Sequence, residues 1–121
     1  NYGGTIRLGA WPCKIKKGSL LESLYKKYAN SLYSTLPVVM ERHRHRYEFN
    51  TKYSSLLEDS DMIISGESPN GKLVEAIELD KKIHPFFVGT QYHPELKSRF
   101  LAPHPIFLGF INAAVKERNK N

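Results

Sequence analysis

His84-Pro85-Phe86-Phe87-Val88-Gly89-Thr90-Gln91-Tyr92-His93-Pro94-Glu95 decides how this chain is read. Apolar and small residues over 86–92 predict a strand that carries the backbone to a sheet edge, and the run stops at a histidine with a carboxylate two residues beyond. Residues two apart in an extended chain project to the same side. His93 and Glu95 can therefore converge on one cleft if the backbone stays extended across Pro94. The proline fixes one dihedral between them, which reduces the freedom lost on pairing. A histidine backed by an acid is how a general base is built: the ring accepts the proton, and the carboxylate holds its tautomer and favours the imidazolium. Such a base implies a nucleophile. The competing reading is a surface His-Pro-Glu turn with an ordinary hydrogen-bonded histidine, because so short a motif is common.

Cys13, the single cysteine, is a poor nucleophile. It lies between Pro12 and Lys14 with no Gly-x-Cys-x-Gly elbow and no helix start directly after it. An activated thiolate needs an exposed, electropositive position. Cys13 reads as a packed thiol.

The second informative segment is Arg42-His43-Arg44-His45-Arg46-Tyr47-Glu48-Phe49-Asn50. If it is extended, the arginines share one side and the histidines, Tyr47 and Phe49 share the other. Guanidinium groups suit two-point binding of a carboxylate. A solvated basic patch would be the simpler account, but Tyr47 and Phe49 anchor the segment and favour a recognition or structural network.

The rest of the sequence sets bounds. A chain of 121 residues suits one domain. With 40% hydrophobic and 25% charged residues it belongs to the soluble, folded class. No run approaches the roughly 18 apolar residues of a membrane span, and no export signal is evident, although a chain beginning at Asn1 is expected to have lost its native start. One cysteine excludes an internal disulfide and fits a reducing compartment. No Cys/His spacing suggests structural zinc. The net charge of +6 reflects either a solvated lysine-rich surface and tail or attraction to anions. Nucleic acid is not an expected partner, because the aromatic-and-basic platform and glycine-rich clamp of RNA-binding modules are missing.

Along the chain, Gly3-Gly4-Thr5 predicts a turn leading into a short strand over 6–9, with Arg7 facing away from the core. A second short strand is expected over 12–18. Ser19 and Glu22 form a capping-box pattern for a helix over 19–30, with Leu20, Leu24 and Tyr28 on one face, widened by Leu21 and Tyr25, and Lys26 and Lys27 in solvent. A strand over 38–41, a short helix over 51–58 and a buried strand over 61–65 follow. Ser68-Pro69-Asn70-Gly71 is a strong turn signal, with a hairpin partner over 73–79. The final helix, about 106–117, carries Phe107, Phe110, Ile111 and Ala114 at helical spacing, suits Pro105 in its first turn and is expected to pack across a sheet face. This order is mixed α/β with an antiparallel component and no complete glycine-rich phosphate loop.

These residues together resemble the C-terminal half of the glutaminase domain of the CTP synthase family, a group of class I (triad-type) glutamine amidotransferases. Residues 3–9, GGTIRLG, are similar to the family's GGTMRLG; 42–50 to RHRHRYEVN, with Phe49 for Val; FFVGTQYHPEL to a strand ending in QFHPEF; and 104–110 to HPLF-x-GF. His-Pro-Glu marks the wider amidotransferase class, and the arginine-histidine run narrows it. The likeness runs nearly end to end. Tyr92 and Leu96 stand where the family has Phe, which preserves bulk.

The resemblance implies an α/β, class I glutamine amidotransferase-like (flavodoxin-like layered) domain, C-terminal half only, with a mixed sheet, an antiparallel hairpin and a C-terminal helix. Residues 1–121 would be a partial glutaminase domain. Its nucleophilic cysteine, glycine-rich elbow and oxyanion hole are expected upstream of Asn1, so the chain alone should be inert and, with sheet edges exposed, prone to associate. The implied activity is hydrolysis of L-glutamine to glutamate, with ammonia passed to a synthetase domain that aminates ATP-activated UTP to CTP. His93 would be the triad base and Glu95 its orienting acid. Arg46 would lie nearest the substrate, through backbone as much as side chain, with Arg44 and His45 lining the glutamine pocket. Arg7 matches a position linked to the response to GTP, the allosteric activator. No cofactor is expected in this part; the whole enzyme would use ATP and Mg, form a homotetramer and work in the cytoplasm, with no membrane partner. Two alternatives stay open. One is another triad-type amidotransferase or cysteine hydrolase, favoured if the arginine-histidine run lies remote from His93. The other is a noncatalytic regulatory module whose arginines hold an anion.

Overall fold

A computed structural model describes residues 7–28, 36–45 and 54–120. Its elements are β1 (Arg7–Ile15), α1 (Leu20–Tyr28), β2 (Val38–His45), α2 (Ser54–Glu58), β3 (Met62–Glu67), β4 (Val74–Leu79), β5 (Val88–Thr90), a 3-10 turn (Pro94–Leu96) and α3 (Pro105–Arg118). The strands form one sheet in the order β2-β1-β3-β4-β5. Every pairing among the described residues is antiparallel.

The expected order of elements is recovered, with changes at several boundaries. The two short strands expected over 6–18 are one strand, β1, that runs through Pro12. Ile15 N–H donates toward the β2 side, to Pro37 O at 2.7 Å, and Lys16 N–H toward the β3 side, to Ser65 O at 2.8 Å. Alternation aims the nitrogen of Pro12 to the β3 side, where β3 pairs only with Lys14 and Ile15. The missing N–H therefore costs no ladder bond. The predicted turn at Gly3-Gly4-Thr5 lies outside the described residues, as does the start of the helix expected over 51–58. The strand expected to be buried, β3, is only half-buried at Met62, Ile63 and Ile64.

The sheet consists of two ribbons joined by a short seam. β1 and β2 pair from Arg7↔His45 to Lys14↔Val38, whereas β1 meets β3 only at Lys14↔Glu67 and Ile15↔Gly66. Gly66 is required at that seam: a Cβ there would stand 2.8 Å from Cys13 Sγ and 3.1 Å from the Ala76 Cβ. Cys13 is fully buried, in agreement with its reading as a packed thiol.

α1 lies over the sheet because its N-terminus is held from two directions. Ser19 Oγ accepts from Glu22 N–H at 3.0 Å, and the Glu22 carboxylate accepts from Gly18 N–H at 3.0 Å. Buried Glu78 on β4 accepts from Leu20 N–H at 2.7 Å and Leu21 N–H at 3.0 Å. A carboxylate at this end satisfies unpaired amides and complements the helix dipole. The core then forms between Leu20, Leu21, Leu24 and Tyr25 of α1 and Cys13, Ile15, Val39, Ala76, Tyr92 and Ile106.

α3 does not present the predicted stripe to a sheet face. It packs chiefly on α1, burying Pro105, Ile106 and Gly109, while Phe107, Phe110 and Ile111 remain exposed. Gly109 decides this orientation by letting the two helices approach over Leu24. None of the helices among the described residues is long and apolar enough to cross a membrane.

Candidate active site

β5 is shorter than the run over 86–92 predicts, and the reason lies at His93. Gln91 N–H still donates to Glu75 O on β4, at 2.8 Å, but His93 N–H turns to Arg42 O on β2, also at 2.8 Å. Lys97 Nζ adds a second tie to β2 by donating to Met40 O. The chain leaves β4 and is clamped across β2.

His93 itself is extended, with φ −112° and ψ 92°, and Pro94 then opens the 3-10 turn. The backbone is thus not extended across the proline, as strand alternation would require. The turn brings the pair together instead, with Nδ1 of His93 2.9 Å from Oε2 of Glu95. The imidazole side chain is 36% exposed and the carboxylate 58%. With Nδ1 engaged, a neutral ring keeps its lone pair on Nε2, the atom available to take a proton. The hydrogen bond to His93, helped by the backbone N–H of Glu95, holds the Glu95 carboxyl below the usual carboxylate range.

The second motif meets this pair on β2. Arg42 and Arg44 are exposed on one face of the strand and His43 is buried on the other, the alternation the sequence predicts. The backbone of His45 pairs with that of Arg7, and Arg44 with Leu8, so the ends of β1 and β2 that carry three expected site residues are adjacent. The side chains of Arg7 and His45, and all of Arg46, lie outside the described residues.

Among the described residues the His93 side chain is half-buried and that of Glu95 is exposed. A hollow of about 860 Å³ is lined by Lys14, Lys16, Lys26, Met62 and Ile63 among others, and not by His93 or Glu95. The described residues contain no cluster of three or more His, Cys, Asp or Glu suited to a metal ion.

Sequence reasoning missed the polar network beneath the pair. Glu41 is fully buried on β2; its Oε2 accepts from Tyr25 O–H at 2.5 Å and lies 2.7 Å from His104 Nε2. His104 Nδ1 accepts from Ile106 N–H at 3.1 Å, which places the proton of a neutral ring on Nε2, facing Glu41. The Tyr25 and Tyr92 hydroxyls are 3.1 Å apart. Burial, with Glu41 adding to it, pushes both phenols well above their ordinary values, so both stay protonated. A second buried pair, His43 Nε2 and Glu75 Oε2 at 3.5 Å, joins β2 to β4. The available signal was phase: Val39, Glu41 and His43 share one face of β2, and a carboxylate in a core position needs partners.

Against this geometry, the comparisons with known proteins agree with one another. The glutamine amidotransferase class-I family matches residues 2–113. CTP synthase of Chlorobium phaeobacteroides is 54% identical over 98% of this chain, which covers 19% of that protein. CTP synthase of Flavobacterium psychrophilum is 49% identical over 98% of the chain and 20% of its own length. The chain thus spans about a fifth of the length of these relatives. Among solved structures, the Trypanosoma brucei CTPS glutaminase domain with bound acivicin superposes with a TM-score of 0.78 at 36% identity, covering 93% of this chain and 40% of that one. A family match over nearly the whole sequence, together with a shared fold, places this chain among the class-I glutamine amidotransferases, in close likeness to the glutaminase domain of CTP synthases.

Proposed function

We propose that this chain is the C-terminal part of the glutaminase domain of a cytoplasmic CTP synthase, and that it supplies the base and acid of a Cys-His-Glu triad. The observation that carries the reading is the 2.9 Å contact between His93 Nδ1 and Glu95 Oε2, held against the arginine-histidine strand by the bond from His93 N–H to Arg42 O. That proximity favours an amidotransferase over a hydrolase in which the two motifs are unrelated.

In this reading a cysteine from polypeptide outside these residues provides the thiol and the second wall of the cleft. His93 Nε2 takes the thiol proton as sulfur attacks the carboxamide carbon of glutamine. The imidazolium, stabilised by Glu95, returns that proton to nitrogen as the C–N bond breaks and ammonia leaves. The ring then takes a proton from water, which attacks the thioester and releases glutamate and the thiol. Arg46, Arg44 and His45 would hold glutamine, and Arg7 would take part in the response to GTP. ATP, UTP and Mg would bind a separate synthetase domain, where the ammonia aminates UTP in a homotetramer of full-length subunits.

Replacing His93 by Ala in the full-length protein tests the assignment. Glutamine hydrolysis should fall by about 10²- to 10⁴-fold, while CTP formation from added ammonia is retained. Unchanged glutamine hydrolysis rejects His93 as the base, and equal loss with ammonia points to misfolding rather than chemistry.

A further inference from the structure

Tyr92 departs from the phenylalanine of the motif it otherwise matches, and its hydroxyl has a defined place. Tyr25 O–H is committed to Glu41. The proton between the two phenols is therefore Tyr92's, donated to the Tyr25 oxygen. The donors run in one direction, from Tyr92 to Tyr25 to Glu41 Oε2, which is met from the other side by His104. His104 is itself fixed as the N-cap of α3. A phenylalanine fills the same space and cannot join this chain.

The network ends one residue from the base. Residue 92 is secured through its side chain to Glu41, by way of Tyr25, and residue 93 through its N–H to the carbonyl of Arg42. These are consecutive positions on the short segment between β5 and the 3-10 turn. Thr90 Oγ1 donates to Tyr92 O at 2.9 Å, a third restraint on the same peptide. The Tyr92 ring also stands edge-on to His43, 6.1 Å between centroids, and His43 is paired with Glu75.

We propose that Tyr92 is a positioning residue for His93: its hydroxyl, suspended from buried Glu41 through Tyr25, fixes the backbone from which the imidazole projects. The proposal rests on the reading of His93 as the base. Tyr92 touches no substrate in this scheme and acts through the orientation of the ring.

The test is Tyr92→Phe in the full-length protein, read by amide exchange at His93 and by glutamine kinetics. Loss of one buried hydrogen bond predicts about 3- to 10-fold faster exchange of the His93 amide. A kcat for glutamine hydrolysis lowered by a similar factor, with KM within about twofold, completes the expectation. Tyr25→Phe breaks the chain at its middle link and should reproduce the faster exchange. Ser68→Ala, which removes turn bonds to Asn70 and Leu73 elsewhere, should leave both readouts unchanged. The proposal is overturned if Tyr92→Phe leaves His93 exchange within twofold of the parent, or if Ser68→Ala accelerates it equally. Should His93→Ala retain hydrolysis, the base assignment fails, and the exchange measurement still decides whether the hydroxyl holds the segment.

Discussion

Substitution of Gly109 by Ala sets two effects of known size against each other at the α1–α3 contact. An ideal Cβ at 109 would lie 2.3 Å from Leu24 Cδ2, 3.3 Å from Leu24 Cγ and 3.2 Å from Phe86 Cε2. Carbon atoms pack best at about 3.5–4.0 Å, so the tip of Leu24 must retreat by more than about 1 Å. Turning Cδ2 away does not suffice, because Cγ and the Phe86 ring crowd the same point. Leu24 is 6% exposed and sits within the core cluster. Overpacking of this kind costs about 1–3 kcal/mol. Replacing glycine in a helix interior returns up to about 1 kcal/mol. The packing cost should win, leaving a net destabilisation of about 1 kcal/mol. In a Leu24→Ala background only the 3.2 Å approach to Phe86 Cε2 remains, and the same substitution should stabilise by up to about 1 kcal/mol. Native-state amide exchange across α1 and α3 reads these opening free energies locally. Additive effects within about 0.5 kcal/mol, or a gain in the parent, would refute the reasoning.

Three further outcomes follow from the site. Glu95 should titrate below the usual carboxylate range, and His93→Ala should return its midpoint toward about 4.3; a carbon-13 carboxyl titration measures both. Because the folded value is depressed, the stability from this pair is present above the unfolded value and is lost as pH falls through the folded one. Glu41→Ala removes the Oε2 acceptor shared by the Tyr25 hydroxyl and His104 Nε2–H; at about 1–3 kcal/mol for each buried hydrogen bond lost, a loss of about 2–5 kcal/mol is expected in denaturant unfolding, with Glu41→Gln milder. Ser19→Ala should cost about 1 kcal/mol, seen as faster exchange confined to the first turn of α1, since Glu78 still holds the Leu20 and Leu21 amides.

Local chemistry made much of this structure legible. The Ser19 half of the capping box, the Ser68–Gly71 turn and the alternation of Arg42, His43 and Arg44 depend on neighbours within a few residues and are found as read, whereas the Glu22 carboxylate takes the amide of Gly18 in place of that of Ser19. The His93–Glu95 contact was also foreseen, although a 3-10 turn makes it rather than a strand. What escaped the sequence depends on partners distant in the chain. Glu41 meets Tyr25 and His104, and Glu78 meets the start of α1; no spacing rule links such positions. The apolar stripe of α3 was misread for a related reason. Periodicity marks Phe107, Phe110 and Ile111 as a face, but helix approach is set by where a side chain is absent, at Gly109.

The tie from His93 to β2 runs to a peptide carbonyl, and every amino acid carries one. Residue 42 can therefore drift in charge, length or shape while the imidazole keeps its footing. The guanidinium face of that strand is thus free to change without moving the histidine whose backbone N–H rests on that carbonyl.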